Sequence, residues 1–299
     1  MFIGLLCPFV LLSLSDVTMI DFGQYESRIQ SDYGALKDTG EPHYNDGSPP
    51  FVPEPSIMFI SNWIIDLRSS GSRISNIVKG QCVAVESKEN NQTVMGVRIN
   101  FPKTRQNDRA IIRPQFPFHA YDRQGNFTNL SNGVAANVGV IKDVSVWVKG
   151  RNYPYDFAAR FVDNQNKTQE FFFGNLLFDN WRKLTWINPN YIESIRHRVI
   201  ERKPMYPKDL PYYIFSSFVV YRDMAQIGGD FIFYVKDVSM SYDLHAATII
   251  DPDINDEAVW RIIQERSLKT MEREHREYGE RMYDLETQQK LMQQLKGSE

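Results

Sequence analysis

The sequence is poor in cysteine and in long apolar runs. It holds two cysteines in 299 residues, Cys7 and Cys82. Removal of an N-terminal signal would leave Cys82 alone, which excludes a disulfide within the chain and predicts a thiol in the core. After the first fifteen residues no stretch reaches 18 uninterrupted apolar residues, so no membrane span is expected once a signal is removed.

The motifs of the common catalytic and metal sites are also missing. The sequence contains no G-x-S-x-G elbow, no phosphate-binding P-loop and no G-x-G-x-x-G fingerprint, and its five histidines stand far apart. The acidic stretch from Asp251 begins like a calcium loop, but Asp256 replaces its glycine and Ile262 replaces its last glutamate. We therefore expect a protein that is not an enzyme, with no cofactor and no metal.

The charge balance argues against a nucleic-acid partner. The formal net charge is -3 and the pI is near 6, so no broad basic field would neutralise phosphates. By contrast, 42% apolar residues and 13% aromatics can fill a substantial core. The bulk of the chain is expected to be globular.

The N-terminal region divides into a signal and an arm. Residues 1–15 are uncharged and apolar, with Ser13 and Ser15 as small residues before Asp16, and they predict a signal peptide. A membrane anchor or a buried strand is the alternative. Residues 16–55 are polar and turn-rich with five prolines between Pro42 and Pro55, which indicates an extended N-terminal arm.

Residues 56–250 carry the pattern of a β-sandwich. Apolar and polar residues alternate in the long runs, so that Phe231, Phe233 and Val235 share one face and Ile232 the other. Turn clusters separate the runs, and no regular helices intervene. The predicted strands are Met58–Leu67, Ile77–Val85, Thr93–Phe101, Val138–Lys149, Asp156–Val162, Glu170–Phe173, Ile214–Tyr221 and Asp230–Tyr242. The predicted fold is all-β, a jelly-roll-like antiparallel β-sandwich followed by a long C-terminal α-helix.

Residues 251–299 form the predicted helical tail. From about Asp256 to Lys296 the sequence has no proline and charges of both signs, and apolar residues recur at steps of three and four. The candidate contact residues are Val259, Trp260, Ile263, Leu268, Met271, Tyr278, Met282, Leu285 and Met292. Docking on a partner, packing on its own sandwich and a solvated helix all stay open.

Two further groups of residues are candidates for contacts. The GRNYPY segment presents Arg151, Asn152 and Tyr153 on a predicted turn, as an interface or as a turn that only sets strand register. Exposed aromatics could stack on sugars, and the candidates are Trp147, Trp181, Trp186 and Tyr153. Tryptophans within strand patterns are more often core, and the core interpretation is preferred.

Four segments together resemble a known family. They are GVRINFP (96–102), NVGVIKDVSVWVKGRNYPY (137–155), WRKLTWINPNYI (181–192) and GGDFIFYVKDVSMSYD (228–243). In this order they resemble the spirochaete flagellar filament outer layer protein family, FlaA. The DEAVWRIIQER start of the tail (256–266) is also similar to that family.

The resemblance implies a structural role. A member of this family is expected to be a jelly-roll protein exported to the periplasm, where it coats the flagellin core of the periplasmic flagellum and affects filament shape, stiffness and motility. The implied partners are flagellin core subunits and other sheath proteins, with lateral association in the filament. The alternative is a carbohydrate-binding module or a jelly-roll glycosidase of the cell envelope.

Overall fold

The computed structural model describes residues 14–23, 59–69, 71–87, 92–115, 117–118, 120, 133–191 and 211–245, together with 261 and eleven scattered positions from 265 to 293. Within these residues the strands are β1 Leu14–Asp21, β2 Trp63–Arg68, β3 Gln81–Ser87, β4 Gln92–Phe101, β5 Asp108–Pro114, β6 Val134–Ala136, β7 Val138–Lys149, β8 Asp156–Asp163, β9 Thr168–Asn175, β10 Trp181–Ile187, β11 Tyr212–Arg222 and β12 Gly229–Leu244. A 3-10 turn covers Ile60–Asn62, and a short helix, α1, covers Ile74–Val78.

The strands form two antiparallel sheets. Sheet A has the order β10-β7-β12-β4-β3, and sheet B has the order β2-β5-β11-β8-β9. Each sheet has one long central strand that pairs with two shorter strands placed end to end along one side. Residues 229–235 of β12 pair with β4, and its residues 237–243 pair with β1. In sheet B, β11 pairs with β6 near its start and with β5 near its end.

The core lies between the sheets because each strand turns every second side chain inward. In β12 the side chains of Phe231, Phe233 and Val235 are fully buried, whereas Ile232 faces solvent. Phe231 and Phe233 stack with ring centroids 5.1 Å apart, and Phe157 of sheet B meets Phe233 edge-on at 5.6 Å. The predicted all-β antiparallel sandwich and the predicted faces of β12 are confirmed.

The beginning of the predicted arm, residues 16–21, lies in strand β1 of the sandwich. Strand β1 pairs with β12 from Leu14↔Asp243 to Asp21↔Asp237. Met19, Ile20 and Phe22 are buried in the common core. Asp16 and Thr18 are exposed and Asp21 is half-buried, and these polar residues made the segment resemble a polar arm. The rest of the arm, residues 24–55, lies outside the described residues.

Some strand boundaries also differ from the prediction. The run predicted as Ile77–Val85 is split, because helix α1 ends at Val78 and β3 begins at Gln81. The predicted strand at Met58 begins only at Trp63, after the 3-10 turn. Four strands were not predicted: β1, β5, β6 and β10.

The tail is described only at separate positions. The described positions between 265 and 293 have a helical backbone conformation. The side chain of Leu268, one of these residues, is 53% exposed. Arg273 lines a cavity whose other walls include Pro114, Phe118 and Ile214 of the sandwich. A continuous helix stays a prediction. Within the described part of the chain, no helix is both long and apolar enough to cross a membrane.

Candidate interaction surface

Four loops meet at one end of the sandwich, which we call the loop end: residues 102–107, 150–155, 176–180 and 223–228. The Asn152 backbone N–H donates to the carbonyl of Phe178 at 3.0 Å. The Tyr155 hydroxyl donates to the carbonyl of Ile227 at 2.5 Å. Burial raises the pKa of Tyr155, so its hydroxyl stays protonated as a donor. These bonds fix three loops relative to one another.

A buried arginine ties the fourth loop to the others. The side chain of Arg222, at the end of β11, forms a salt bridge of 2.5 Å with Asp108. Its guanidinium also donates to the carbonyls of Pro102 at 2.6 Å, Thr104 at 2.9 Å and Gln226 at 3.0 Å. Arginine suits this position because its planar fork can donate five hydrogen bonds in fixed directions. The loop end is therefore held by the core beneath it.

The close approach of two of these loops requires a glycine. A Cβ atom at Gly228 would lie 1.9 Å from the carbonyl oxygen of Pro102, a distance that no side chain tolerates. Any other residue at this position would push the 223–228 loop away from the 102–107 loop. The backbone is thus packed tightly at the point where the chain enters β12.

Three large apolar side chains point away from this end. Leu177 is 59% exposed, Met224 is 58% exposed and Ile227 is 88% exposed. Their backbones are ordered by the hydrogen bonds above and by the Met224 N–H, which donates to the side chain of Asn107 at 2.9 Å. Rigid loops that expose apolar side chains lose little entropy when they bind, which suits an interface.

The predicted GRNYPY turn lies at the loop end. Arg151 and Asn152 are exposed, and Asn152 has a left-handed backbone with φ 62°. Tyr153 instead packs against the core, with its ring 5.8 Å from that of Tyr155 and 4.9 Å from that of Phe231. The interface interpretation thus fits the placement of the first two residues, whereas Tyr153 fits the alternative of a turn-setting residue.

Sequence reasoning missed Leu177, Met224 and Ile227. They lie in short turns between strands, where the pattern of alternation gives no information about direction. The available signal was the occurrence of large apolar residues inside turn segments such as DMAQIGG. Of the predicted tail residues, Leu268 is described, and Val259, Trp260, Ile263, Met271, Tyr278, Met282, Leu285 and Met292 lie outside the described residues.

The tryptophans do not share one environment. Trp186 contacts Phe171 edge-on at 4.6 Å and packs against the core, as predicted. Trp147 is 38% exposed on the outer face of sheet A, so the core interpretation is wrong for this residue. Trp181 is half-buried.

Among the described residues, no group of three or more His, Cys, Asp or Glu side chains is arranged to bind an ion. Cys82 is buried without a disulfide partner, and burial raises the pKa of its thiol. The predicted location of this cysteine in the core is confirmed.

The two sheets and their loops define an antiparallel β-sandwich protein with exposed apolar side chains at one end. A family model described as flagellar filament outer layer protein matches residues 26–251. The chain belongs to this family, and the resemblance seen in the sequence is confirmed.

Three relatives from spirochaetes are each named flagellar filament outer layer protein. The Spirochaeta aurantia protein is 35% identical over 69% of this chain, the Treponema pallidum protein 31% over 86%, and the Borreliella burgdorferi protein 32% over 69%. The matches span 65%, 79% and 61% of these relatives' lengths.

Solved structures with a similar fold include carbohydrate-binding modules. A family 11 module of a Clostridium thermocellum cellulosomal cellulase is 13% identical, covers 70% of this chain and 98% of that chain, and has a TM-score of 0.31. A module solved with β-1,4-galactotriose is 8% identical, covers 62% and 90%, and has a TM-score of 0.29.

Proposed function

We propose that this protein is a non-enzymatic sheath subunit of a periplasmic flagellum, where it coats the flagellin core and contributes to filament shape, stiffness and motility. Membership of the flagellar filament outer layer protein family carries the proposal. The names of the three relatives support it, although the matches leave part of each relative's length uncovered. Export to the periplasm by a signal in residues 1–15 is part of the same proposal.

The loop end is the surface we propose for contacts within the coat. Leu177, Met224 and Ile227 present apolar side chains on a rigid base, beside the exposed Arg151 and Asn152. Arginine and methionine are enriched at protein–protein interfaces. Flagellin subunits and other sheath proteins are the proposed partners.

The tail is the second contact element of the proposal. Its predicted apolar stripe would extend about 60 Å along a continuous helix of residues 256–296, enough to supply much of one side of a standard interface. Arg273 lines the same cavity as Pro114 of the sandwich, which supports docking of at least part of the tail on its own sandwich. The remaining stripe residues would then face a neighbour.

The proposal is tested by replacing loop-end residues and isolating flagellar filaments. The double variant Met224→Asp, Ile227→Asp should fold normally, because both side chains are more than half exposed. It should be lost from purified filaments, since charged side chains would have to be buried without partners at the interface.

Ile187→Asp is the matched control, because Ile187 is 68% exposed at the opposite end of β10. This variant should join filaments normally. Equal incorporation of the double variant and the wild type would refute the loop-end contact. Absence of the wild-type protein from purified filaments would refute the sheath function itself.

A further inference from the structure

The outer face of sheet A carries a straight row of residues that crosses five strands. Trp181 of β10 lies directly opposite Lys149 of β7, and Lys149 lies opposite Tyr234 of β12. Tyr234 in turn pairs with Gly96 of β4, and Gly96 pairs with Val83 of β3. Since neighbouring strands are ~4.8 Å apart, the two aromatic residues stand ~10 Å apart with a lysine between them.

Gly96 lets the ring of Tyr234 pack closely on the sheet. A Cβ atom at Gly96 would be 3.3 Å from Cε1 of Tyr234 and 3.0 Å from Cγ2 of Val85. The tyrosine ring therefore packs beside the Gly96 backbone, and the side chain is half-buried. Shielding the backbone of an otherwise exposed glycine is by itself a sufficient structural reason for a tyrosine at position 234. It does not explain the exposed tryptophan on the neighbouring strand.

That tryptophan, Trp147, adds a second row of aromatic and basic groups. It lies two residues from Lys149 on the same face of β7 and pairs with Lys183 of β10. On its other side β12 has a bulge at Lys236 and Asp237. Burial raises the pKa of Asp237 to about 6, and the nearby charges of Lys236 and Lys183 oppose this rise. Three lysines and three aromatic rings thus share one face.

The composition of this face argues against a protein partner. Lysine is depleted at protein–protein interfaces, whereas Lys149, Lys183 and Lys236 all lie here. A polyanion such as a nucleic acid is disfavoured by Asp237 and Asp21, which pair across β12 and β1 in the same region. A ligand with flat apolar faces and isolated negative charges fits better, because the rings would stack on those faces and the amino groups would bind the charges.

We propose that the outer face of sheet A binds an oligosaccharide that carries carboxylate groups. The C–H faces of its sugar rings would stack on Trp181, Tyr234 and Trp147. Its carboxylates would accept hydrogen bonds from Lys149 and Lys183. The proposal concerns binding, and it does not depend on the coat function proposed above.

The test uses the full chain on an array that presents sialylated and uronic-acid oligosaccharides beside their neutral counterparts and a single-stranded oligonucleotide. At least one carboxylated sugar should bind at least about tenfold more tightly than its neutral counterpart. Trp181→Ala and Lys149→Gln should each weaken that binding by about tenfold, and Trp181→Phe should retain most of it.

Phe172→Ala is the control, because Phe172 is an aromatic side chain 51% exposed on the other sheet, and it should bind like the wild type. The proposal would be overturned if the protein bound no sugar, bound neutral sugars equally well, or preferred the oligonucleotide. An equal loss of sugar binding in Phe172→Ala would also overturn it. Filament purification is unaffected by these outcomes, so failure here is distinguishable from failure of the sheath proposal.

Discussion

The guanidinium of Arg222 lies 2.5 Å from the carboxylate of Asp108, and both side chains are almost completely buried, at 1% and 0% exposure. The same guanidinium donates to the carbonyls of Pro102, Thr104 and Gln226. This pair therefore couples the core of the sandwich to the loops at its end. Its integrity should decide both stability and the geometry of the loop end.

Asp108→Ala is expected to destabilise the protein by about 3–5 kcal/mol, because it leaves the charge of Arg222 buried without its carboxylate. Urea unfolding followed by tryptophan fluorescence measures this loss. The double variant Asp108→Leu, Arg222→Met removes both charges and should recover much of it. A loss below about 1 kcal/mol for Asp108→Ala would contradict a structural role for the pair.

Stability is expected to depend on pH through Asp237. Burial raises the pKa of Asp237 from its usual 3.8 to about 6. The folded protein then holds this proton more tightly than the unfolded chain, so stability falls as pH rises from about 4 to 6. Asp237→Asn should flatten this part of the profile and raise the urea midpoint at pH 7. An unchanged slope in Asp237→Asn would assign the pH dependence to another group.

Asp230→Asn is the control, because the pKa of Asp230 is shifted in the opposite direction to that of Asp237. Hydrogen bonds from Asn100 and Arg98 lower the pKa of Asp230. Its contribution to stability is therefore present above its usual pKa of 3.8 and is lost as pH falls through the lowered value. Asp230→Asn should leave the slope between pH 4 and 6 in place.

The assignment of β1 to the sandwich predicts a large effect of a residue near the N-terminus. Ile20→Ala should cost about 2–5 kcal/mol, because its fully buried side chain fills the core beside Val238. Thr18→Ala, an exposed position in the same strand, should change stability by less than about 0.5 kcal/mol. Similar small effects at both positions in urea unfolding would place residues 14–21 outside the core.

The reactivity of Cys82 tests the core of β3. The side chain is buried and burial raises the pKa of the thiol, so the native protein should not react with a thiol reagent such as DTNB at pH 8. In a Cys7→Ser background, reaction should follow unfolding. The neighbouring variant Val83→Cys should react at once, because Val83 is 44% exposed. Rapid reaction of native Cys82 would contradict the inward orientation of its side chain.

The sequence pattern predicted the central strands best because they alternate over many residues. Strand β7 was predicted with its observed bounds, and β12 was predicted within a few residues of its ends. Strands β5 and β10 were missed because they are short and several of their outward positions hold charged residues, as Arg109 and Arg113 do in β5. Such a segment has few apolar residues, although the burial of β5 does alternate.

The candidate surfaces were less predictable than the fold. The GRNYPY turn was found, but the exposure of Leu177 and Ile227 depends on how separate loops close around Arg222. Such exposure depends on contacts between residues far apart in the chain, which a local pattern does not contain. For Trp147 the local pattern was sufficient, because the residue lies between the buried Val146 and Val148 and alternation places it on the outer face. The core interpretation of this residue rested on its residue type.

The most direct test of the sheath function is electron cryo-microscopy of flagellar filaments purified from cells with and without this protein. Filaments from wild-type cells should show an outer layer of density around the core, and filaments from the deletion strain should lack it. The layer should return with the wild-type gene but not with Met224→Asp, Ile227→Asp. Filaments of the same diameter and surface in both strains would contradict the sheath function.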